Sequence, residues 1–270
     1  MTARVWDLAG MAWIAVRQRL QYRFDFFMTL LTALMFGALS FMIWSAIYSN
    51  NTDQALPWQQ LITYIMVGQA INLSRWSAAE RTPVYSMDSR IRNLDIALDL
   101  IRPVDFHVQR FAEAVGFFIV ELIWVNIPAL LVFIFFLKIS PPANAMAAAG
   151  FFFSLVIAFL VSFSLNSIVM MTTFWTTNAL GAQIAKKAIV DVLAGLIIPF
   201  EFFPGWLTVI VTHLPFKGMA YIPLSIYTGK ISGESILWSL LEQIIWAVIM
   251  LAACRLMWNA ASRRITINGG

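Results

Sequence analysis

The sequence predicts an all-α integral membrane protein, on three observations. Hydrophobic residues make up 60% of the 270 residues and charged residues only 12%, about half the charged fraction of a soluble domain. Uncharged stretches recur that are long enough for the ~20 residues a helix needs to cross a hydrocarbon core of about 30 Å. The cations gather in alternate connections, the pattern of Lys- and Arg-rich loops kept on the cytoplasmic side. A soluble enzyme is excluded on the first ground, because such a chain could not cover its folded surface with polar groups. The single cysteine, Cys254, excludes an intrachain disulfide framework and a multi-cysteine zinc site, and two histidines, His107 and His213, leave little for a histidine metal site. The net charge of +4 reads as membrane orientation and not as nucleic-acid binding, because of where the cations fall.

Residues 3–23 come first. Trp6, Trp13 and Leu20 share one helical face with Arg17, Arg19 and Arg23 elsewhere, which predicts an amphipathic helix lying in the inner interface. Either it is a simple anchor or it connects to a gate. The first apolar run after it is too long for a signal peptide and has no small-residue cleavage motif behind it, so it is expected to stay as an anchor. Six spans follow, at about 26–49, 57–79, 112–137, 147–173, 178–200 and 235–258. The first two are joined by a turn around Asn50, Asn51, Asp53 and Pro57; Pro141 and Pro142 separate the third and fourth. After the fifth, Pro199, Pro204, Pro215 and Pro223 interrupt the chain, since proline removes a backbone donor and breaks helices. Fifteen of the 18 cations, and all 13 arginines, fall on one side of this arrangement. Both termini are therefore expected in the cytoplasm, with the chain multi-pass in the inner membrane.

Motifs for an internal motor or a catalytic centre are not evident. Gly181 to Lys187 reads GAQIAKK and lacks the second glycine and the hydroxyl residue of a phosphate-binding loop; neither a G-x-S-x-G elbow nor an H-E-x-x-H helix occurs. No span carries an arginine repeat of the voltage-sensor kind. The chain reads as non-catalytic, with no cofactor of its own.

The most polar stretch, Arg81 to Arg110, is too long for a plain turn between adjacent helices. Within it Ile91, Leu94, Leu98 and Ile101 form one apolar helical stripe, while Arg92, Asp95, Asp99 and Arg102 lie off it with Arg–Asp pairs three apart. Pro103 stops the helix. A two-faced cytoplasmic helix over 88–103 either lies on lipid headgroups or places its stripe in a partner protein.

The run RNLDIALDLIRPVDFHVQRF, Arg92 to Phe111, resembles the segment between spans two and three of ABC-2-type exporter permeases, in particular a six-span branch related to viologen and drug exporters. The run IIPFEFFPGWLTVIVTHLPFKGMAYIPLSIYTGK, Ile197 to Lys230, is similar to that family's pattern between spans five and six. The resemblance extends in span order over nearly the whole chain. It implies a transmembrane subunit that pairs with a second permease, identical or paralogous, in the lipid bilayer, and binds two copies of a separate ATPase, which would hold the ATP and Mg. No nucleic-acid partner is implied. The inner helix would be the coupling helix, placing the ATPase contact on Arg90, Ile91, Arg92, Leu94, Asp95, Leu98, Asp99, Ile101 and Arg102. The implied cargo is a small amphipathic or cationic drug-like compound.

Between Pro199 and Thr228 the apolar pieces are too short to cross, and irregular backbone at membrane depth needs shelter. Two re-entrant helices within 204–228, dipping from the outside, meet that constraint, as the resemblance also implies. Phe200, Phe203 and Trp206, with Phe202, are candidates either for an apolar outer gate or for an interfacial aromatic belt. Acidic residues inside spans are costly: Glu121 and Asp191 are candidates for the translocation path, against a structural role in which Asp191 pairs with Lys187 four residues earlier. Glu242 lies in the outer part of the last span. His213 reads as a loop residue and Cys254 as helix packing. The competing function is an ion-coupled secondary transporter in which Glu121 and Asp191 relay protons.

Overall fold

A lone segment can satisfy all its backbone polar groups in hydrocarbon only as a helix, and among the described residues every regular element is helical. The computed structural model describes residues 5–21, 23–49, 55–80, 104–176 and 180–262. In chain order these form α1 (Val5–Gln21), α2 (Arg23–Ser49), α3 (Trp58–Glu80), α4 (Phe106–Glu121), a π-helical turn (Leu122–Asn126), α5 (Ile127–Leu137), α6 (Ala145–Met171), α7 (Leu180–Leu193), α8 (Gly205–Thr212), α9 (Tyr221–Tyr227) and α10 (Glu234–Ser262). Among the described residues four stretches are long and apolar enough to cross a bilayer: Phe24–Ser49, Phe106–Leu137, Ala145–Phe174 and Glu234–Ser262.

The outer surface of these helices is itself apolar. Phe27, Leu31, Met35, Leu39 and Met42 of α2, and Trp238, Ile245, Val248 and Leu256 of α10, are all exposed, which water would penalise and lipid does not. α3 is the opposite case. Its residues Leu61 to Gly68 are all buried, so it is enclosed on every side and forms the centre of the main core with Ala129, Phe133, Val161, Leu224 and Ala247.

Several boundaries differ from the sequence expectation. The third span begins at Phe106 and not near 112, because Asp105 caps it: its carboxylate accepts from the His107 backbone N–H at 3.0 Å. Arg110 and Glu113, in the first turns of this helix, pair with each other at 3.0 Å. The same helix passes through the π turn just before Pro128. A proline ring clashes with the carbonyl four residues back, here that of Trp124, and widening the turn relieves the clash. The last helix runs on to Ser262, past the expected end at 258.

The largest difference is the fifth expected span. Instead of a helix over 178–200, α7 stops at Leu193 after 14 residues, a length of about 21 Å against a core of about 30 Å. Gly195 breaks it with φ +74°, a conformation glycine adopts without strain. The backbone there is anchored where the Tyr64 hydroxyl donates to the Gly195 carbonyl at 2.8 Å.

α1 also sits differently from a plain interfacial helix. It packs lengthwise along α4, with Ala15 buried and Trp13 and Leu20 exposed, so the face it presents to the protein is its small-residue face and not the Trp–Leu face. Close approach is the reason: a Cβ added at Gly116 of α4 would lie 2.4 Å from the Ala12 carbonyl oxygen and 2.9 Å from the Ala15 Cβ. Gly116→Val should therefore push α1 off α4 and destabilise the protein by about 1–3 kcal/mol. Thermal melting in detergent, with proteolysis of α1 as a second readout, checks this; unchanged melting would show that the two helices have slack between them.

Candidate functional site

Three polar constellations stand among the apolar helices. The first is built around Arg19, only 4% exposed, at the end of α1. Its Nε and Nη2 donate to Oε1 of Glu121, 1% exposed, at 3.0 and 2.5 Å. Its Nη1 pairs with Asp25 of α2, and its guanidinium lies 4.5 Å from the Phe26 ring centroid. A guanidinium that deep needs a counter-charge, since the desolvation cost of an unpaired ion is several kcal/mol. Two carboxylates supply it, and one residue thereby joins α1, α2 and α4. The sequence pattern placed Arg19 on a solvated face. Its true partner lies 102 positions away, beyond the reach of any local spacing rule.

The second constellation is α7 and its neighbours. Lys187 Nζ donates to Asp191 at 2.9 Å, the i,i+4 pair that the spacing predicts. Lys186 reaches Asn166 of α6 at 2.7 Å. Glu121 and Asp191 are thus each engaged by a cation, on different helices and in different networks.

The third is the proline-broken segment between α7 and α10. Pro199 leads into a single 3-10 turn, Phe200–Phe202, and Pro204 precedes α8. Phe200 is buried and stacks on Tyr221 of α9, with centroids 4.2 Å apart and planes 8° from parallel; the Phe203 ring lies 5.4 Å from Phe200, with planes 29° apart. Phe202 meets Trp44 of α2 at 4.9 Å. The structure therefore brings Phe200 and Phe203 together. Trp206 is 68% exposed, and among the described residues no ring packs on it.

Around these rings lies a polar network that the sequence reading missed. Lys230 pairs with Glu201 and donates to the Tyr221 hydroxyl at 2.6 Å, and that hydroxyl donates to Glu201 at 2.9 Å. Burial pushes the Lys230 ammonium below its ordinary pKa. Lys217 pairs with Glu242 of α10 at 2.6 Å. Next to it Gln243, wholly buried, donates to the Gly218 carbonyl at 2.7 Å and accepts from Ser154 of α6 at 2.7 Å. The only sequence signal for these ties was a set of isolated charges flanking the prolines, and it carried no pairing information.

His213 Nδ1 lies 2.8 Å from the Val209 carbonyl oxygen, as suits a loop residue. Among the described residues no group of three or more His, Cys, Asp or Glu side chains is placed to hold a metal ion. The expected coupling residues, Arg90, Ile91, Arg92, Leu94, Asp95, Leu98, Asp99, Ile101 and Arg102, lie outside the described residues.

Comparison with known families gives one match: the family described as ABC-2 family transporter protein, over residues 34–269. No curated protein matches the chain.

Removing one partner of a buried ion pair leaves the other charge uncompensated, at a cost of about 3–5 kcal/mol. Glu121→Gln and Arg19→Gln should each lower the melting temperature of the detergent-solubilised protein, while Arg19→Met combined with Glu121→Leu should recover much of the loss. A double mutant no more stable than the singles would mean that the pair is not the determinant of the α1 position.

Proposed function

Because the chain belongs to the ABC-2 family of transporter proteins, we propose that it is the permease subunit of an ATP-driven exporter. The family match over nearly the whole chain carries this reading; four long apolar helices with exposed apolar faces support it. Permeases of this family generally work with ATPase subunits. The proposed assembly is two permeases, identical or paralogous, and two ATPases that hold ATP and Mg. Six membrane-inserted segments, with α3 and the α7–α9 region completing the four long helices, and both termini in the cytoplasm follow from the one-sided distribution of arginine. In this orientation the membrane is the cell's inner membrane.

ATP binding would close the ATPases against the helix over 88–103, whose stripe Ile91, Leu94, Leu98 and Ile101 would seat in them. The Arg and Asp residues off that stripe would pair at its rim. At the outer end, the stacked Phe200 and Phe203 form an apolar plug, with Trp206 facing the second permease or lipid. Asp191 is the acidic group assigned to the path, since Lys187 is 43% exposed and the pair can open to a cation. Glu121 is enclosed with Arg19 and holds α1 in place; a cationic cargo reaching it would have to displace a buried guanidinium. An amphipathic or cationic cargo, of the viologen and drug kind, fits an apolar path with this single acidic station.

The test is copurification of the chain with the ATPase encoded beside it, followed by efflux from energised cells. Leu94→Asp and Leu98→Asp put a charge into the apolar stripe and should lower recovery of the ATPase at least about tenfold, the effect of losing roughly 1.4 kcal/mol or more at an interface, with melting of the permease unchanged. Intact complex formation would remove the coupling assignment. Efflux that survives ATP depletion and collapses with the proton gradient would replace the exporter with the ion-coupled transporter.

A further inference from the structure

A cavity of about 500 Å³ opens between the start of α4, the middle of α6 and the last third of α10. Its polar groups collect at one end, where Arg255 of α10 donates to Asp105, the cap of α4, at 2.6 Å. Both side chains reach solvent, Arg255 at 53% and Asp105 at 36% exposed. Burial opposes ionisation of Asp105, yet Arg255 and the His107 backbone N–H together hold its carboxyl below the usual carboxylate range. His107 and Cys254 also line it, and the rest of the wall is apolar, with Phe111, Leu160, Phe163 and Leu251 the main contributors. At the rim Val108 and Leu251 are 37% and 39% exposed, so the cavity opens sideways through the same apolar surface that meets lipid.

The depth of the cavity matches one leaflet. Phe106 stacks on Trp258 at 4.5 Å, and Met170 and Met171 pack with them, which puts the start of α4 and the ends of α6 and α10 at one level. Leu160 lies 11 residues before Met171, the end of α6, a distance of about 16 Å along the helix axis. Half of a hydrocarbon core is about 15 Å. The cavity therefore runs from a charged mouth at the interface to the bilayer midplane, with polar and apolar groups segregated along that axis.

We propose that this cavity binds one zwitterionic phospholipid from the leaflet at the α10 C-terminal end, its ammonium on Asp105, its phosphate on Arg255 and an acyl chain along Phe111, Leu160, Phe163 and Leu251. The charge pattern selects the headgroup. An anionic headgroup satisfies Arg255 but takes it from Asp105, which keeps only the His107 backbone N–H as a partner; a simple cationic amphiphile takes Asp105 from Arg255 instead. A zwitterion replaces the one ion pair with two and strands neither charge. The lining residues include none of the aromatic plug and not Asp191, and the existence of the site does not depend on the exporter reading.

The test uses the full chain in detergent, titrated with dioleoyl phosphatidylethanolamine or dioleoyl phosphatidylglycerol and read by native mass spectrometry. One phosphatidylethanolamine per chain should be retained about tenfold more tightly than phosphatidylglycerol, the discrimination expected from one charge-assisted contact. Leu251→Trp fills the cavity and should weaken retention at least about fivefold without altering melting of the lipid-free protein; if that variant does not fold, Val108→Trp narrows the same mouth and is read by the same criterion. Asp105→Asn should abolish the preference between the two lipids, because Asp105 takes the ammonium that only phosphatidylethanolamine carries. Equal or tighter retention of phosphatidylglycerol by the wild type, or undiminished retention by a folded cavity-filling variant, overturns the proposal. Neither result bears on recovery of the ATPase, so loss of this site and loss of the permease reading are distinguishable.

Discussion

Hydrocarbon offers no water to a carbonyl, an amide or an ion, and among the described residues the buried ion pair of Arg19 and the broken segment after α7 sit where other parts of the protein stand in for water. Arg19 is the plainest case. An arginine that would normally hold a helix at the headgroups is drawn inward, because Glu121 and Asp25 neutralise it and Phe26 covers it. Its burial then decides how α1, α2 and α4 meet. The tight seam between α1 and α4 follows, since only Ala12, Ala15 and Gly116 allow backbones close enough for the guanidinium to reach across.

The same constraint governs the broken region after α7. A helix that ends partway leaves carbonyls without partners, and four prolines prevent a regular continuation. Shelter comes from the helices on either side. Tyr64 of the enclosed α3 donates to the Gly195 carbonyl, and Gln243 of α10 donates to that of Gly218 while accepting from Ser154 of α6. α9 is short but almost wholly buried against α6. The segment is thus a structured wedge and not a loose loop, with its charged groups paired at the rim through Glu201, Lys230, Lys217 and Glu242.

Local patterns were legible in the sequence and distant ones were not. The long apolar stretches showed where four crossing helices lie, and the i,i+4 spacing showed the Lys187–Asp191 pair, because both depend on a few neighbouring residues. Hydropathy could not tell that α3 is enclosed by protein while α2 and α10 face lipid, since both surroundings ask for the same side chains. Nor could helical periodicity reveal that Arg19 points inward, because the balancing carboxylate stands on another helix. Among the candidate site residues, Phe200 and Phe203 were found in contact because prolines confine them to one short turn. Their stacking partner Tyr221 and the Glu201–Lys230 pair depend on how the wedge folds back, which no spacing encodes. The proposed coupling role of the residues from Arg90 to Arg102 rests on their stripe and on the resemblance alone.

Small displacements survive the length of a membrane-spanning helix only where the intervening parts are stiff. The start of α4 and the ends of α6 and α10 have that stiffness: Phe106, Trp258, Met170 and Met171 form one aromatic and thioether cluster, and Arg255 ties α10 to the cap of α4. α10 continues from that cluster to Gln243 and Glu242, the residues that hold the wedge. A rotation applied at the cluster is therefore carried to the wedge by one unbroken helix of 29 residues, about 44 Å long. The parallel route through α4 is interrupted by the π turn at Leu122–Asn126, directly after Glu121. The two routes differ in compliance: α10 is the rigid rod, while the third span has a built-in joint one residue beyond the ion pair that clamps α1.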